Sequence, residues 1–436
     1  MTTAQLSVAF FLQVALILAA CRVAGWAVNR WLGQPQVVGE MLAGVLLGPS
    51  LFGQLAPGLQ AAVFPAESRD VLYVGGQLGI GLYMFIIGLG FRRDQFRESA
   101  RSAAAVSLAG MAAPFLVAAL LAPWLMDLRL FGAGVDALQA WLFIGAAISI
   151  TAFPMLARIL HERGVTGTPL GSMSLAAGAI GDAGAWCVLA VVLATLGDGP
   201  DTAVKAIAGG LLFTAFMLTA APRLLAPLGR IVAREGRLGP GVLGVVMVLF
   251  MLSAFAMDYV GLHAVFGGFI LGVAMPRGRL AEELTRLLEP FAVVVLLPLF
   301  FTFSGLSTRL GLVDSPALAG VAAVILAGSV AAKALACWAA ARLTGQDNPT
   351  AMAIGALMNA RGMMELILVN IALQRGLIGP ELFSMLVLMA IVTTFMATPL
   401  FELVYGRRAR ERGELGVLGG AEAAERPTVG AVASSS

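Results

Sequence analysis

The sequence predicts an all-α integral membrane protein of about thirteen transmembrane helices, arranged as inverted-topology repeats containing two discontinuous helices. Three observations carry this. The 436 residues are 59% hydrophobic and only 12% charged, with a mean hydropathy of +0.91. Apolar runs of about twenty residues, each able to cross about 30 Å of hydrocarbon, recur along the chain. Two of those runs, seven spans apart, are interrupted midway by polar or helix-breaking residues.

Only helices and closed barrels satisfy their backbone groups in lipid, and these runs are continuous rather than alternating, so helices are expected. The expected spans are 6–28, 37–51, 71–89, 103–125, 138–160, 170–196, 204–225, 242–257, 262–275, 291–306, 317–343, 351–373 and 383–405. Loop charge tests the alternation. With the N-terminus outside, the inside loops hold about nineteen Arg residues, among them Arg92, Arg93, Arg158, Arg163, Arg230 and Arg408, against about five Lys or Arg outside. This predicts an N-terminus outside and a cytoplasmic C-terminus, in a bacterial-type inner membrane and in contact with its lipid.

The formal net charge of +3 is dispersed through these loops, so nucleic acid is not an expected partner. Cys21, Cys187 and Cys337 fall in apolar runs without Cys-x-x-Cys spacing, and read as small membrane residues. Leu18-Ala19-Ala20-Cys21 has the form of a lipoprotein cleavage box. No positive side chain precedes Arg22, however, and the first segment is expected to be a retained helix. Residues 413–436 are Gly-, Ala- and Ser-rich and read as a short disordered cytoplasmic tail. No cofactor is expected. The two histidines lack metal-enzyme spacing, with His161 read as a loop residue. An intramembrane hydrolase would need a nucleophile–base pair or two close acids, and none is evident.

The chain centres on 147–197. There Ser149, Thr151 and Pro154 interrupt the fifth span, and Asp182 stands alone in the sixth. Asn359, Arg361 and Gly362 interrupt the twelfth. An odd offset of seven spans inverts the second unit relative to the first, which is the sequence pointer to a midplane binding site in secondary transporters. A broken helix exposes backbone carbonyls and half-helix dipole ends where an ion must be partly dehydrated. Asp182 lies about 18 Å along its helix from Leu170, near the bilayer centre, at 1.5 Å per residue. An acid at that depth is costly and marks function by default; the bland alternative is an inert protonated Asp held by a neighbouring helix. A single carboxyl that holds either a proton or a cation suffices for exchange.

The other intramembrane charges are fewer in meaning. Lys333, the only lysine deep in an apolar span, either pairs with Asp182 or snorkels to an interface. Arg361 and Glu365, four apart, share a helix face and read as a structural bridge across the broken span. Asn359 could supply an amide oxygen or cap the half-helix. Glu40, flanked by Gly39 and Gly44, is a candidate funnel or gate carboxylate, or equally a packed acid. Asp258 and His263 are expected at a membrane edge.

Several motifs then agree in order. Ser149-Ile150-Thr151-Ala152-Phe153-Pro154-Met155-Leu156-Ala157-Arg158, Gly181-Asp182-Ala183-Gly184-Ala185-Trp186, His263-Ala264-Val265-Phe266-Gly267-Gly268-Phe269, Leu297-Pro298-Leu299-Phe300-Phe301 and Met358-Asn359-Ala360-Arg361-Gly362 resemble the monovalent cation/proton antiporter-2 family, especially its plant-type cation/proton exchanger branch. The resemblance runs through nearly all of the membrane region. It implies the Na⁺/H⁺ antiporter fold and a homodimer whose protomers combine dimerisation helices with a mobile core in which the two broken helices cross. Dimerisation helices would then fall at about 6–89 and 242–306, core helices at 103–196 and 317–405, and a linker helix at 204–225, within a membrane domain spanning 1–412. It also implies that Asp182, Thr151 and Ser149 handle the cation and proton, and that Lys333 pairs with the core acids. One departure matters. Where the family often has Asn or Asp before the aspartate, this chain has Gly181, and a single carboxylate favours electroneutral exchange of Na⁺ or K⁺ for H⁺. The alternatives are a same-fold organic-anion symporter, which would want convergent cationic or aromatic groups, and a non-transporting membrane sensor, which would normally carry a soluble ligand domain.

Overall fold

The computed structural model of the protein describes residues 2–91, 93–195, 199–306 and 315–411. The tail expected to be disordered, 413–436, lies outside them. Its helices in chain order are α1 (Thr3–Leu32), α2 (Gln36–Leu47), the short α3 (Phe52–Leu55) and α4 (Pro57–Val63), α5 (Ala66–Gly90), α6 (Arg93–Asp127), α7 (Ala137–Ser149) and α8 (Phe153–Glu162). Then come α9 (Pro169–Leu193), α10 (Pro200–Thr219), α11 (Ala221–Glu235), α12 (Pro240–Tyr259), α13 (Ala264–Ala274), α14 (Arg279–Phe291) and α15 (Leu297–Leu306). The chain continues through α16 (Pro316–Leu343), α17 (Asn348–Leu357), α18 (Met363–Gln374), α19 (Pro380–Phe401) and α20 (Arg407–Glu411).

Among the described residues, 11 helices are long and apolar enough to cross a membrane, so the protein is a multi-pass, all-α membrane protein. Two of the thirteen expected spans stand apart from that number. One is α13, only 11 residues long. The other is divided into α17 of 10 residues and α18 of 12. The expected tenth span also starts earlier. Helix α14, with Arg279 and Arg286, had read as a loop because its charges lie on one face, but it runs through Pro290 and a π-helical stretch, Ala292–Leu296, directly into α15. Proline removes an intrahelical donor, and the wider π turn absorbs the defect.

Start signals are conventional. Asp136 and Gln139 form a reciprocal capping box at α7, and Thr168 and Ser315 cap α9 and α16. Buried apolar side chains fall into two large clusters. One includes Ile144, Phe153, Leu156, Leu357 and Leu386; the other includes Ile17, Phe85, Phe250, Leu271 and Leu296. Within the first cluster Phe153 of α8 and Phe269 of α13 meet edge to face, with ring centroids 4.8 Å apart. Helices α5 and α13 approach through small residues, the usual way to bring backbones together in lipid. A Cβ at Gly88 would lie 2.3 Å from the Phe269 carbonyl oxygen, and one at Gly272 would lie 2.2 Å from that of Phe85.

The segment before α7 is tied to the segment after α18 by an antiparallel bridge between Phe131 and Ile378. Gly132 donates to the Leu377 carbonyl at 3.0 Å and Gly379 to that of Leu130 at 2.8 Å. Only glycine fits at 132, where a Cβ would stand 1.8 Å from the Gly376 oxygen. The start of α7 and the end of α18 are thereby joined on one side, so the two broken helices run in opposite directions and meet at their breaks.

Candidate functional site: two broken helices and a buried aspartate

Helix α7 ends at Ser149, and Pro154 sits in the first turn of α8, so Ile150, Thr151 and Ala152 form an extended link. The second break covers Met358 to Gly362. They are stitched together directly. The Ala152 amide donates to the Ala360 carbonyl at 3.0 Å, and the Thr151 hydroxyl donates to the Met358 carbonyl at 3.1 Å.

A helix leaves its last four carbonyls without intrahelical partners, at the negative end of its dipole. In α7 all four are satisfied. The Ile150 amide (3.2 Å) and the Ser149 hydroxyl (3.0 Å) donate to Ala146. Arg361 donates from Nη1 to the Ala147 oxygen at 2.8 Å and from Nη2 to the Ile148 oxygen at 2.7 Å. Lys333 Nζ donates to the Ser149 oxygen. Two cations distant in sequence, Arg361 of the second break and Lys333 of α16, thus complete the C-terminus of α7. Arg361 also donates to the Ser329 hydroxyl, and its own backbone is held by Thr394, which accepts from its amide at 3.1 Å and donates to its carbonyl at 2.7 Å.

Lys333 is buried rather than snorkelling: its ammonium donates to the Ser149 carbonyl, at a negative helix C-terminus that no residue letter announces, and it stays within electrostatic reach of Asp182 without a direct ion pair. The Arg361–Glu365 contact does form, at 3.4 Å with both side chains fully buried. It is not a pairing within one helix, however, since Arg361 precedes α18, whose N-cap is Gly362. The Ser149 hydroxyl turns back on its own helix, so only the carbonyl of that residue faces the break. Asn359 Nδ2 donates to the Gly355 carbonyl at 2.9 Å, in the manner of a helix-end residue, while its Oδ1 has no partner.

Asp182 is fully buried, and both of its carboxyl oxygens lack a hydrogen-bond partner. One turn earlier, Gly178 lies against the first turn of α8: a Cβ there would be 2.7 Å from Leu156 Cδ2 and 3.4 Å from Phe153 Cδ2. Since α8 and α9 are joined by the short link 163–168, they run antiparallel, and the next turn of α9 brings Asp182 to the level of the 150–152 break. A buried acid without a hydrogen-bond partner at the level of the first break is a candidate cation or proton site.

Comparison with known proteins decides the family. The family described as "Sodium/hydrogen exchanger, transmembrane" matches residues 14–404. The chain belongs to that exchanger family. The Na(+)/H(+) antiporter NhaS4 of Synechocystis is 37% identical over 90% of this chain and 96% of its own length. Among eukaryotic relatives, Cation/H(+) antiporter 19 of Arabidopsis thaliana and K(+)/H(+) antiporter 1 of Saccharomyces cerevisiae are each 32% identical. The chain spans about half the length of these two, 49% and 46% respectively. The solved structure of the sodium proton antiporter MjNhaP1 from Methanocaldococcus jannaschii superposes with a TM-score of 0.54 over 90% of this chain and 95% of that one, at 14% identity, and so shares its fold.

In this exchanger Glu40 belongs to a second buried charge cluster, built with Arg158 and Glu162 of α8. Arg158, counted in the sequence as a loop charge, lies within α8 and is 3% exposed. Its Nε is 2.6 Å from Glu162 Oε1, and its Nη2 is 4.0 Å from Glu40 Oε1. Glu162 accepts from the Gln36 amide at 2.5 Å and the Val37 amide at 3.3 Å, an anion on the positive end of α2. His161, expected in a loop, sits in the last turn of α8, where its Nε2 is 2.9 Å from Glu289 Oε1 of α14. The i,i+4 spacing of Arg158 and Glu162 was the available signal for a helical rather than a loop reading. Asp258 is exposed and its Oδ1 accepts from the Ala264 amide at 2.8 Å, whereas His263 is buried, capping α13 with its ring centroid 5.3 Å from that of Trp186.

Proposed function

We propose that the protein exchanges a monovalent cation, Na⁺ or K⁺, for H⁺ across a membrane by alternating access, with Asp182 holding one ion or the other. The observation that carries this reading is the wholly buried Asp182 carboxyl with two unpartnered oxygens beside the crossed breaks. A carboxyl with no hydrogen-bond partner on either oxygen is free to bind either ion, so exclusion of one by the other gives exchange without further machinery. One titrating carboxyl makes the cycle electroneutral. Thr151 and the carbonyls of the break are the proposed neighbours of the cation, with hard oxygen donors suited to Na⁺ or K⁺.

In this reading α6–α9 and α16–α19 form the moving core, the helices at 6–89 and 242–306 form the dimerisation panel of a homodimer, and α10 links them. The second buried cluster draws on none of the proposed core helices, whereas the first packs core residues against panel residues such as Val38, Tyr83 and Phe269. Glu40 and Arg158 would lie where core and panel slide, as a gate. The N-terminus is placed outside and the C-terminus in the cytoplasm of a bacterial-type inner membrane, where such exchange serves pH homeostasis. Relatives are named for Na⁺/H⁺, K⁺/H⁺ and Na⁺/H⁺-K⁺ antiport, so both cations belong in the test.

The test is dye-quench exchange in proteoliposomes over pH with Na⁺, K⁺, Li⁺ and Rb⁺. Asp182→Asn is expected to abolish exchange for every cation while leaving the thermal midpoint in detergent near that of the parent. Full activity in that variant would remove the proposed site.

A further inference from the structure

Helix α6 lies between the helix that carries Asp182 and the helix that carries Lys333. On one side the Cys337 thiol of α16, one turn beyond Lys333, donates to the Val106 carbonyl at 3.6 Å. A Cβ at Gly110 would meet its sulfur at 2.7 Å. On the other side two α6 side chains one turn apart enter glycine notches of α9 that flank Asp182. Ser107 Oγ stands 3.2 Å from where a Cβ at Gly181 would be, and Met111 Sδ stands 2.6 Å from where one at Gly184 would be.

Ser107 is 1% exposed, and its Oγ has no hydrogen-bond partner. A hydroxyl within a buried helix commonly donates back to the preceding turn, as Ser384 does to the Pro380 carbonyl and Thr393 to that of Met389; Ser107, like Ser174 and Thr398, does not, and it alone of the three stands against the Gly181 notch beside Asp182. A buried hydroxyl left unmade costs free energy comparable to a lost hydrogen bond. Here the unmade hydroxyl adjoins the residue before a carboxyl that is also unmade. Any side chain at 181 would crowd the hydroxyl; glycine leaves it open.

We propose that Ser107 Oγ is an oxygen ligand of the transported cation, presented beside Asp182 through the notch that Gly181 leaves. The inference rests on the reading of Asp182 as the exchange carboxyl and adds an oxygen donor from a helix that contributes nothing to either break. A hydroxyl is neutral, so it adds affinity for the cation without adding a second titrating group.

The experiment uses the purified full chain in liposomes: parent, Ser107→Ala, Ser107→Thr and Asp182→Asn, with Na⁺ and K⁺ titrated at several pH values. Ser107→Ala is expected to raise the half-saturating cation concentration roughly 3- to 10-fold, the range of one hydrogen-bond-sized contact. The maximal rate should stay within about twofold of the parent. Because a weaker cation competes with the proton only at lower proton concentration, half-maximal exchange at fixed cation should move alkaline by about 0.5 to 1 pH unit, that fold-change on a logarithmic scale. Ser107→Thr, which keeps the hydroxyl, should behave as the parent. An unchanged half-saturating concentration and pH profile in Ser107→Ala, or a threonine variant as weak as the alanine one, would overturn the assignment. With Asp182→Asn inactive, such a result sinks the Ser107 ligand alone; exchange persisting in Asp182→Asn sinks both readings.

Discussion

The two broken helices look like mirror copies but are built from opposite materials. The link between α7 and α8 is apolar except for Ser149 and Thr151, and it offers its surroundings mainly backbone carbonyls. The link between α17 and α18 carries Asn359, Arg361 and, one turn on, Glu365, and it offers a cation. The first break is completed by the second: Arg361 takes the carbonyls of Ala147 and Ile148. The second is held by hydroxyls and amides, with Thr151 on Met358, Ala152 on Ala360, and Thr394 on both backbone groups of Arg361. What this difference teaches is that a topologically inverted pair need not be chemically symmetric. One half supplies dipole ends, the other neutralises them, and the aspartate beside them is left without a fixed partner.

The sharpest way to break this arrangement is Arg361→Leu. It strips two α7 carbonyls and Ser329 of their donor and leaves Glu365 uncompensated, a loss of about 3–5 kcal/mol for one partner of a buried charged network. Little folded protein should survive solubilisation, as read by fluorescence-detected size exclusion. Arg361→Lys should recover only part of it, because a point charge cannot replace the planar fork that spans two adjacent carbonyls. Next in size is Lys333→Met, which leaves one α7 carbonyl, that of Ser149, without its donor. The expected cost is about 1–3 kcal/mol, seen as a lowered melting temperature, with exchange per folded molecule retained. Loss of exchange with an unchanged melting temperature would mean that Lys333 acts on the ion rather than on the helix end. Smallest is Thr151→Val, which removes a single hydroxyl donor to Met358 at nearly constant volume, about 0.5–1.5 kcal/mol. Beyond that modest loss of stability, weakened cation affinity is expected from a titration of exchange rate against Na⁺ and K⁺.

Much of this was legible from residue letters. Pro154, Gly362 and the polar residues around them announce breaks because they interrupt long apolar runs, and Asp182 announces itself because nothing nearby balances it. What the letters conceal has a common physical origin. Side-chain charges are visible in sequence, so Lys333 suggests an acidic partner, whereas the α7 C-terminus it also meets is a negative site made only of backbone. Arg158 was read as a loop charge because a charged residue near the end of an apolar run suggests a boundary; its burial depends on Glu40 from a helix more than a hundred residues earlier. Helix α14 was missed as part of the tenth span because its polar face averages away its hydropathy. Ser107 escaped notice as one small residue among alanines, and only its position opposite Gly181 gives it meaning.

The dependence of α7 on Arg361 bears on how the chain is made. The carbonyls of Ala147 and Ile148 receive their donors from a residue more than two hundred positions later, so the fifth segment enters the bilayer long before its end can be capped. In the interval that end needs a substitute, from water, lipid headgroups or the insertion machinery. Synthesis of the twelfth segment is therefore the earliest point at which the end of α7 can be capped as in the folded protein, and truncations just short of Arg361 should accumulate to lower levels in membranes than truncations that include it.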